Sequence, residues 1–226
     1  MERFRVYDTP HKGIRRGFAE VMVALGQTDW SRPSTVIPVL DLTADLLRVL
    51  ELHADIENNV VLADLELRVP GATHHDTHDH EELELVHLKL NELVSSMKAA
   101  AQRDESLVAQ GRNLLEGINA LIAEHLEHMG YEETVTQQLL WDNFSDEELM
   151  AQLPRIMQSH GPDDMILMMR FILPGLSQPE RQHIVQGMRA NAPEPFLHAV
   201  LAAAGPFIPE PEFDALLQTP EPKYAA

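Results

Sequence analysis

The sequence predicts an all-α protein, an up-down four-helix bundle followed by a C-terminal helical extension. Aromatic residues make up only 5% of the chain, a composition that favours helices over a β-sandwich or a barrel. Apolar residues recur every three or four positions in four long stretches of the first two-thirds of the chain. The 226 residues are enough for one bundle of about 140 residues with its own core and an appended segment.

The predicted bundle helices cover residues 11–26, 41–67, 79–101 and 106–141. Pro10 lies just before the first helix, and Pro70-Gly71 ends the second. We predict a polar connection rich in His, Asp and Thr over residues 72–79. The inward face of the fourth helix has the three-and-four spacing that bundle packing requires. That face consists of Leu114, Ile118, Leu121, His125, His128, Glu132, Val135 and Leu139.

The chain changes character after Phe144. Ser145 followed by Glu148 predicts a capping box that opens a new helix. Shorter helical segments broken by prolines follow, and the residues from about Pro209 onward are expected to be extended. The sequence therefore predicts two units, a bundle at residues 1–142 and a helical extension at residues 143–226. The extension is the expected surface for a homodimer or another protein partner.

Composition and charge exclude several classes of protein. A formal net charge of -19 argues against nucleic acid and anionic membranes as partners. The chain has no cysteine, which excludes a disulfide scaffold, an iron–sulfur cluster and a cysteine zinc site. No apolar run is long enough for a signal sequence or a membrane helix, so we predict a soluble cytoplasmic protein. With 12 histidines, any bound metal must have nitrogen and oxygen ligands.

Two histidine–carboxylate pairs carry the strongest chemical signal. His53 and Glu57 lie four residues apart on the second predicted helix, and His128 and Glu132 repeat this spacing on the fourth. Residues at this spacing share one face of a helix, and both pairs fall on the inward face. A buried, unpaired carboxylate costs several kcal/mol. Two iron ions bridged by the two carboxylates would offset this cost.

Two residues at the same depth of an antiparallel hairpin have their sequence midpoint at the turn. This midpoint therefore shows which candidate ligands lie at one level of the bundle. His11 and His53 have their midpoint at Arg32, inside the predicted loop at residues 30–34, as a shared metal layer requires. On the third helix, His80 and His87 both face inward. His80 and His128 have their midpoint in the turn at residues 102–106, which favours His80. His87 and Glu57 have their midpoint at position 72, close to the preceding turn, which favours His87. The two counts disagree. We prefer His80, with His87 as the alternative.

The order of these residues resembles the hemerythrin-like HHE cation-binding family. The pattern H…HxxxE…H…HxxxE is carried by His11, His53, Glu57, His80 (or His87), His128 and Glu132, and the resemblance covers residues 1 to about 142. It implies an up-down bundle that holds two non-haem iron ions (Fe²⁺/Fe³⁺) bridged by an oxo or hydroxo group. By the same resemblance Glu57 and Glu132 bridge the irons, and the histidines are terminal ligands.

Two departures from the oxygen-carrying branch of that family argue against reversible oxygen carriage. That branch has HxxxH on helix 3, where this chain has His80-Glu-Glu-Leu-Glu84, and its last acid follows the last histidine by five residues instead of four. The pattern is closer to bacterial HHE proteins and to the eukaryotic iron-sensing F-box type. The resemblance therefore implies binding or sensing of O2, iron, NO or peroxide, with a di-iron enzyme reducing peroxide, NO or O2 as the alternative.

Two other interpretations remain from the residues alone. A metal-free helical adaptor would make the histidines coincidental. A ferritin-like di-iron protein needs Glu-x-x-His on two helices of the bundle, and within residues 1–142 only Glu84–His87 matches. Among other residues, His125 is predicted to be a core or ligand-supporting residue. We expect His74, His75 and His78 to be solvated loop residues and Asp64 to be partly exposed. Tyr131 and the methionines are predicted to be packing residues. No partners are expected for His160, His183 and His198.

Overall fold

A computed structural model describes residues 3–218, and these residues contain twelve α-helices and no β-strand. The first six α-helices are α1 (Asp8–Gln27), α2 (Ile37–Ile56), α3 (Leu62–Arg68), α4 (His74–Gln102), α5 (Val108–Tyr131) and α6 (Gln137–Asn143). The next six are α7 (Asp146–Met150), α8 (Leu153–Gln158), α9 (Pro162–Gly175), α10 (Gln178–Asn191), α11 (Glu194–Ala204) and α12 (Glu210–Gln218). The all-α prediction is confirmed.

Two single π-helical turns interrupt the long helices of the bundle. Glu57–Val61 joins α2 to α3, and Glu132–Thr136 joins α5 to α6. The helices form a closed ring of neighbours, in which α1 packs against α2, α2 against α4, α4 against α5, and α5 against α1. This ring is compatible with the predicted up-down bundle. Its centre is filled by fully buried apolar side chains, among them Leu46, Leu50, Leu114, Ile118 and Leu121.

Several predicted helix boundaries were wrong. Helix α1 begins at Asp8, so that Pro10 lies in the first turn, where a missing N–H is tolerated because those amides have no partner within the helix. Helix α2 begins at Ile37, four residues earlier than predicted.

The predicted polar connection at residues 72–79 is mostly helical, because α4 begins at His74. Glu66 makes this early start possible. Its carboxylate accepts hydrogen bonds from the backbone N–H of Gly71 at 2.7 Å and from the Thr73 hydroxyl at 2.8 Å, which fixes the short turn before α4. Gly71 has a φ of 86°, a left-handed conformation that suits glycine at the end of a helix.

The C-terminal extension packs against the bundle through α9. Ser145 and Glu148 form the predicted capping box at the start of α7. Helix α9 lies along α1, and Phe171 and Leu173 share one apolar core with Ile14 and Phe18 of the bundle. The methionines of α9 are buried, as predicted for packing residues. The division of the chain at residue 142 stays a prediction.

The predicted extended segment from Pro209 is partly helical. Helix α12 buries Leu216, Arg181 pairs with Glu212, and the Arg189 guanidinium donates to the Leu216 carbonyl oxygen at 2.9 Å. These contacts with α10 stabilise a helix that the Pro- and Glu-rich composition did not indicate. The remainder of the predicted extended tail, residues 219–226, lies outside the described residues. None of the helices within residues 3–218 is long and apolar enough to cross a membrane.

The contact between α1 and α9 depends on close backbone approach at Gly13. A methyl group added there would lie 2.6 Å from the Cα atom of Ile172, so Gly13→Ala must push α9 away from α1. We expect this variant to lose about 1–3 kcal/mol of unfolding free energy in urea denaturation. Gly26→Ala on the same helix is the control, because nothing lies within 4 Å of its added methyl group. Equal stability of the two variants would contradict a tight α1–α9 contact.

Candidate metal centre

The two histidine–carboxylate pairs lie where α-helix changes to π-helix. In each pair the histidine is in the last turn of the α-helix and the glutamate is the first residue of the π-helical turn. Single π-helical turns occur frequently at functional positions, because the extra residue redirects the side chains around it. Since the two turns lie on α2–α3 and α5–α6, they bring Glu57 and Glu132 together from opposite sides of the bundle.

The structure brings all six preferred residues into one buried cluster. Four ligand atoms, one each from His11, His53, Glu57 and Glu132, lie within 4.8 Å of one another. A second group within the same limit contains Glu57, His80, His128 and Glu132. Each of the six residues is at most 6% exposed. The two glutamates therefore belong to both groups, whereas each histidine belongs to one.

Each glutamate presents one oxygen to each group. Glu57 Oε1 lies 3.2 Å from His53 Nε2, and its Oε2 lies 3.4 Å from His80 Nε2. Glu132 Oε2 lies 3.3 Å from His11 Nε2, and its Oε1 lies 3.4 Å from His128 Nε2. Within the first group, the Nε2 atoms of His11 and His53 are 3.1 Å apart. This is the arrangement that two carboxylates need in order to bridge two cations.

The cluster has an unusual number of buried polar atoms without a hydrogen bond. All four carboxylate oxygens of Glu57 and Glu132 lack a hydrogen-bond partner among the described residues, and so do Nε2 of His80 and Nε2 of His128. Native proteins satisfy almost all buried polar atoms, since an unsatisfied one costs about 1–3 kcal/mol and a charged one more. Once Nε2 of His128 has lost its proton, all six atoms can donate lone pairs within the cluster, so the residues present fit a pair of metal ions.

Three neighbouring polar residues orient the imidazoles. His11 Nδ1 lies 2.9 Å from Glu133 Oε1, His80 Nδ1 lies 2.8 Å from Asn58 Oδ1, and His128 Nδ1 lies 3.3 Å from Asp79 Oδ2. Each contact holds a proton on Nδ1 and leaves Nε2 to face the cluster, as outer partners of metal-bound histidines commonly do. None of these three residues was predicted from the sequence. Their only signal was adjacency, because each one is next to a cluster residue in the chain.

Two further residues support His11. The guanidinium of Arg15 holds Glu133 through two hydrogen bonds of 2.6 and 3.0 Å. Tyr7, which precedes α1 and is 1% exposed, stacks its ring on the His11 imidazole with 5.4 Å between the ring centroids. His11 is therefore fixed by contacts on several sides.

Proton distribution in the metal-free protein follows from these contacts. Burial acts against a charged His128, but contacts with Glu132 and Asp79 outweigh it and raise the pKa of His128 to about 9. Contacts with Glu132 and Glu133 likewise raise the pKa of His11 well above its usual value. Burial lowers the pKa of His53 to about 4, so this imidazole is neutral at pH 7. Without metal, protons on two of the histidines balance the charge of the two buried glutamates.

His87, the alternative ligand, lies away from the cluster. Its Nε2 is 2.9 Å from Nε2 of His125, and the two rings are stacked with an interplanar angle of 11°. His74, His75 and His78 are exposed but helical, contrary to the expectation of a loop, and His75 stacks on Tyr131 with 3.8 Å between the ring centroids. His160 was expected to lack partners, yet its Nδ1 lies 2.9 Å from the Ser159 hydroxyl.

Two of the remaining predicted residues have surface ion pairs. Asp64, predicted to be partly exposed, accepts hydrogen bonds from Gln152 at 2.9 Å and from Arg155 at 2.6 Å, so it is tied to the extension and not to the cluster. His198, also expected to lack a partner, lies 3.8 Å from the Glu194 carboxylate at an exposed position. Neither residue contributes to the candidate metal centre.

A buried carboxyl group, Asp76, lies one helical turn from His80 on α4. The Thr136 hydroxyl donates to it at 2.9 Å, and the residue is fully buried. Burial raises the pKa of Asp76 from 3.8 to about 6, although the Thr136 hydrogen bond acts in the opposite direction. The unfolded chain therefore loses this proton at a lower pH than the folded protein, so the folded state becomes progressively less stable as the pH rises from 3.8 to 6.

We therefore expect Asp76→Asn to stabilise the metal-free protein. The amide still accepts the Thr136 hydrogen bond but cannot ionise, so the gain should be about 1–3 kcal/mol at pH 8 and should shrink as the pH falls toward 4. Urea unfolding at several pH values measures this difference. Asp142→Asn, at an exposed position on α6, is the control. A gain for Asp76→Asn that does not vary with pH would show that ionisation of Asp76 is not the cause.

The fold and the buried His/Glu groups together define a helical, cation-binding protein. The sequence profile of the family described as "Hemerythrin HHE cation binding domain" matches residues 4–140. This match covers more than half of the chain, and the chain belongs to the hemerythrin HHE cation-binding domain family. Comparison with curated proteins and with solved structures found no significant match.

Proposed function

We propose that the chain is a non-haem di-iron protein that binds or senses a small molecule at the cluster. His11 and His53 are the terminal ligands of one iron, and His80 and His128 are those of the other, with Glu57 and Glu132 as the bridging ligands. The observation that carries this proposal is the position of the glutamates, whose four oxygens accept no hydrogen bond from the described residues and face two histidine groups. Imidazole and carboxylate ligands suit iron, and this chain has no cysteine that would favour another centre.

A cleft gives small molecules a path to the cluster. It has a volume of about 560 Å³, and three of the cluster histidines, His53, His80 and His128, form part of its inner wall. Bound iron would supply a coordination position and one-electron chemistry for O2, NO or peroxide. The residues of the chain hold the metals, set the orientation of each imidazole through Nδ1, and exclude bulk water from the buried side of the cluster.

The C-terminal extension is proposed to respond to the state of the cluster. His11 is two residues from Gly13, where α1 and α9 are in their closest contact. His11 is also linked through Glu133 to Arg15 on the next turn of α1. A change in the position of His11 would therefore be transmitted along α1 to α9. Such a response suits a sensor, whose partner surface would lie on the extension.

A di-iron enzyme that reduces peroxide, NO or O2 is the second candidate. The cleft supports it, because turnover requires that substrate reach the cluster and product leave. Sustained consumption of substrate with an added reductant would favour the enzyme, whereas a single stoichiometric reaction would favour binding or sensing.

The proposal is tested by metal analysis and absorption spectroscopy of aerobically purified protein. We expect about two irons per chain and near-ultraviolet charge-transfer bands of a bridged ferric pair. Folded protein that is colourless and takes up no iron when Fe²⁺ is added anaerobically would overturn the di-iron proposal and leave the metal-free adaptor.

A further inference from the structure

The paired imidazoles of His87 and His125 have no role in the function proposed above. They lie on α4 and α5, and each is only 3% exposed. His87 follows His80 by seven residues and His125 precedes His128 by three, so on these antiparallel helices both displacements run in the same direction from the cluster. The two imidazoles therefore form a separate layer of the bundle next to the cluster. A buried polar pair is costly unless its polar atoms have partners, and here the two Nε2 atoms lie within hydrogen-bond distance of each other.

The geometry of this pair matches that of two ligands of one cation. The two Nε2 atoms are 2.9 Å apart, close to the 3.1 Å between Nε2 of His11 and Nε2 of His53 in the candidate metal centre. A cation about 2.0–2.1 Å from both nitrogens would see them at an angle of about 90°, which is acceptable for neighbouring ligands. Burial lowers the pKa of His87 to about 4 and that of His125 well below its usual value. Both rings are therefore neutral at pH 7, the form in which imidazole binds metals.

The surroundings of the pair favour a cation over a neutral ligand. His87 and His125 lie in the wall of the same cleft as His53, His80 and His128. That wall also includes four carboxylates, those of Glu51, Asp55, Glu81 and Glu84, and one cationic side chain, Arg48. Arg48 pairs with Asp164 at 2.8 Å outside the cleft and with Glu51 at 3.4 Å within it, so the carboxylates of the wall still outnumber its one cation. Carboxylates along a cleft raise the local concentration of cations but do not attract a neutral molecule such as peroxide.

We propose that His87 and His125 form a third cation site, a two-histidine position at which Fe²⁺ binds on its way through the cleft to the cluster. Among the described residues, no carboxylate and no further histidine offers a ligand atom within 4.8 Å of both nitrogens, so water would complete the coordination of the cation. A cation with two protein ligands exchanges readily, which suits a transit position better than a permanent one. The transit role rests on the proposed di-iron function, whereas cation binding by the pair does not.

The first test is the stoichiometry of Co²⁺ binding to metal-free protein. It is measured by calorimetry and by the visible absorption of the ion. We expect wild-type protein to bind one equivalent more than His87→Leu/His125→Leu. The single variant His87→Asn, which keeps a polar side chain, should lose the same equivalent if the double variant folds poorly. His78→Gln is the control, because this exposed histidine is on the same helix and outside the cleft. Circular dichroism establishes that each variant is folded.

The second test measures the rate at which Fe²⁺ loads the cluster. Protein and Fe²⁺ are mixed anaerobically by stopped flow, and the final spectrum is recorded in air. Loss of a cation site in an acidic cleft should slow loading about tenfold, with the final iron content unchanged. Equal Co²⁺ stoichiometry in the wild-type protein and in folded His87 and His125 variants would overturn the third site. Unchanged loading rates would overturn the transit role.

The outcomes also separate this inference from the proposed function. One outcome is that Glu132→Ala still binds the Co²⁺ equivalent assigned to His87 and His125, while the cluster of the wild-type protein takes up no metal. In that case His87 and His125 bind a cation and the di-iron proposal fails. If wild-type protein takes up only the cluster metals, the di-iron proposal stands and the third site is overturned.

Discussion

Replacement of Glu132 by alanine is expected to remove both irons, reducing the content from about two per chain to nearly none. The reason is the shared position of this residue. Its Oε2 faces His11 and its Oε1 faces His128, so both metal positions lose an anionic ligand in one substitution. His80→Ala removes a ligand from only one position, and we expect that variant to retain at least part of its iron. Iron analysis and the near-ultraviolet bands measure both effects.

Glu127→Ala is the matched control for Glu132→Ala. Glu127 is exposed on the same helix, α5, and lies outside both His/Glu groups, so its loss tests whether a missing carboxylate on α5 is enough to disturb metal binding. Circular dichroism should show the same helix content in both variants. A folded Glu132→Ala protein that keeps two irons would contradict the assignment of Glu132 as a bridging ligand.

The helical class and four of the six cluster residues could be predicted with little ambiguity, because they depend on local periodicity, whereas His11 followed from the count across the loop at residues 30–34. The spacing of four between His53 and Glu57, and between His128 and Glu132, places each pair on one face wherever the helix is α-helical. Burial of a carboxylate on an inward face then requires compensation, whatever the details of the fold. The sequence pattern thus identified the chemistry before the packing was known.

The choice between His80 and His87 was less secure for a structural reason. Counting from a turn assumes an equal rise per residue on both arms of a hairpin. The arm between Glu57 and the turn before α4 is not one regular helix, because the π-helical turn at Glu57–Val61 interrupts it, so an equal rise cannot be assumed for that count. The arms of the α4–α5 hairpin contain no such turn between His80 and His128, and the count across that hairpin favoured the residue that lies in the cluster.

The orienting residues could not be found by periodicity. Asn58, Asp79 and Glu133 contact imidazoles on other helices, and these contacts depend on how the helices are rotated against one another. Helix α12 was missed for a similar reason. Its Glu, Ala, Leu and Gln residues favour a helix, but Pro209 and Pro211 suggest an extended chain, and its contacts with α10, such as the pair between Arg181 and Glu212, are tertiary.

Metal binding to the cluster is expected to release about two protons per chain at pH 7. In the metal-free protein the pKa of His128 is raised to about 9 and that of His11 lies well above its usual value, so both imidazoles are charged at pH 7. Each must lose the proton on Nε2 before that atom can bind a metal. The proton on Nδ1 remains, held by Asp79 for His128 and by Glu133 for His11.

The sign of the pH dependence follows from these pKa values. Below about pH 9 protons compete with the metal for Nε2 of His128, so metal affinity should fall as the pH falls, by about tenfold per pH unit for each proton released. Calorimetry of Co²⁺ binding in buffers of different ionisation enthalpy measures the number of protons directly. Glu133→Gln should lower the pKa of His11 and thereby reduce proton release, while Glu127→Ala should leave it unchanged. Proton release near zero at pH 7 would contradict charged His11 and His128 in the metal-free protein, because a proton on any ligand atom, nitrogen or oxygen, must leave before that atom binds a metal.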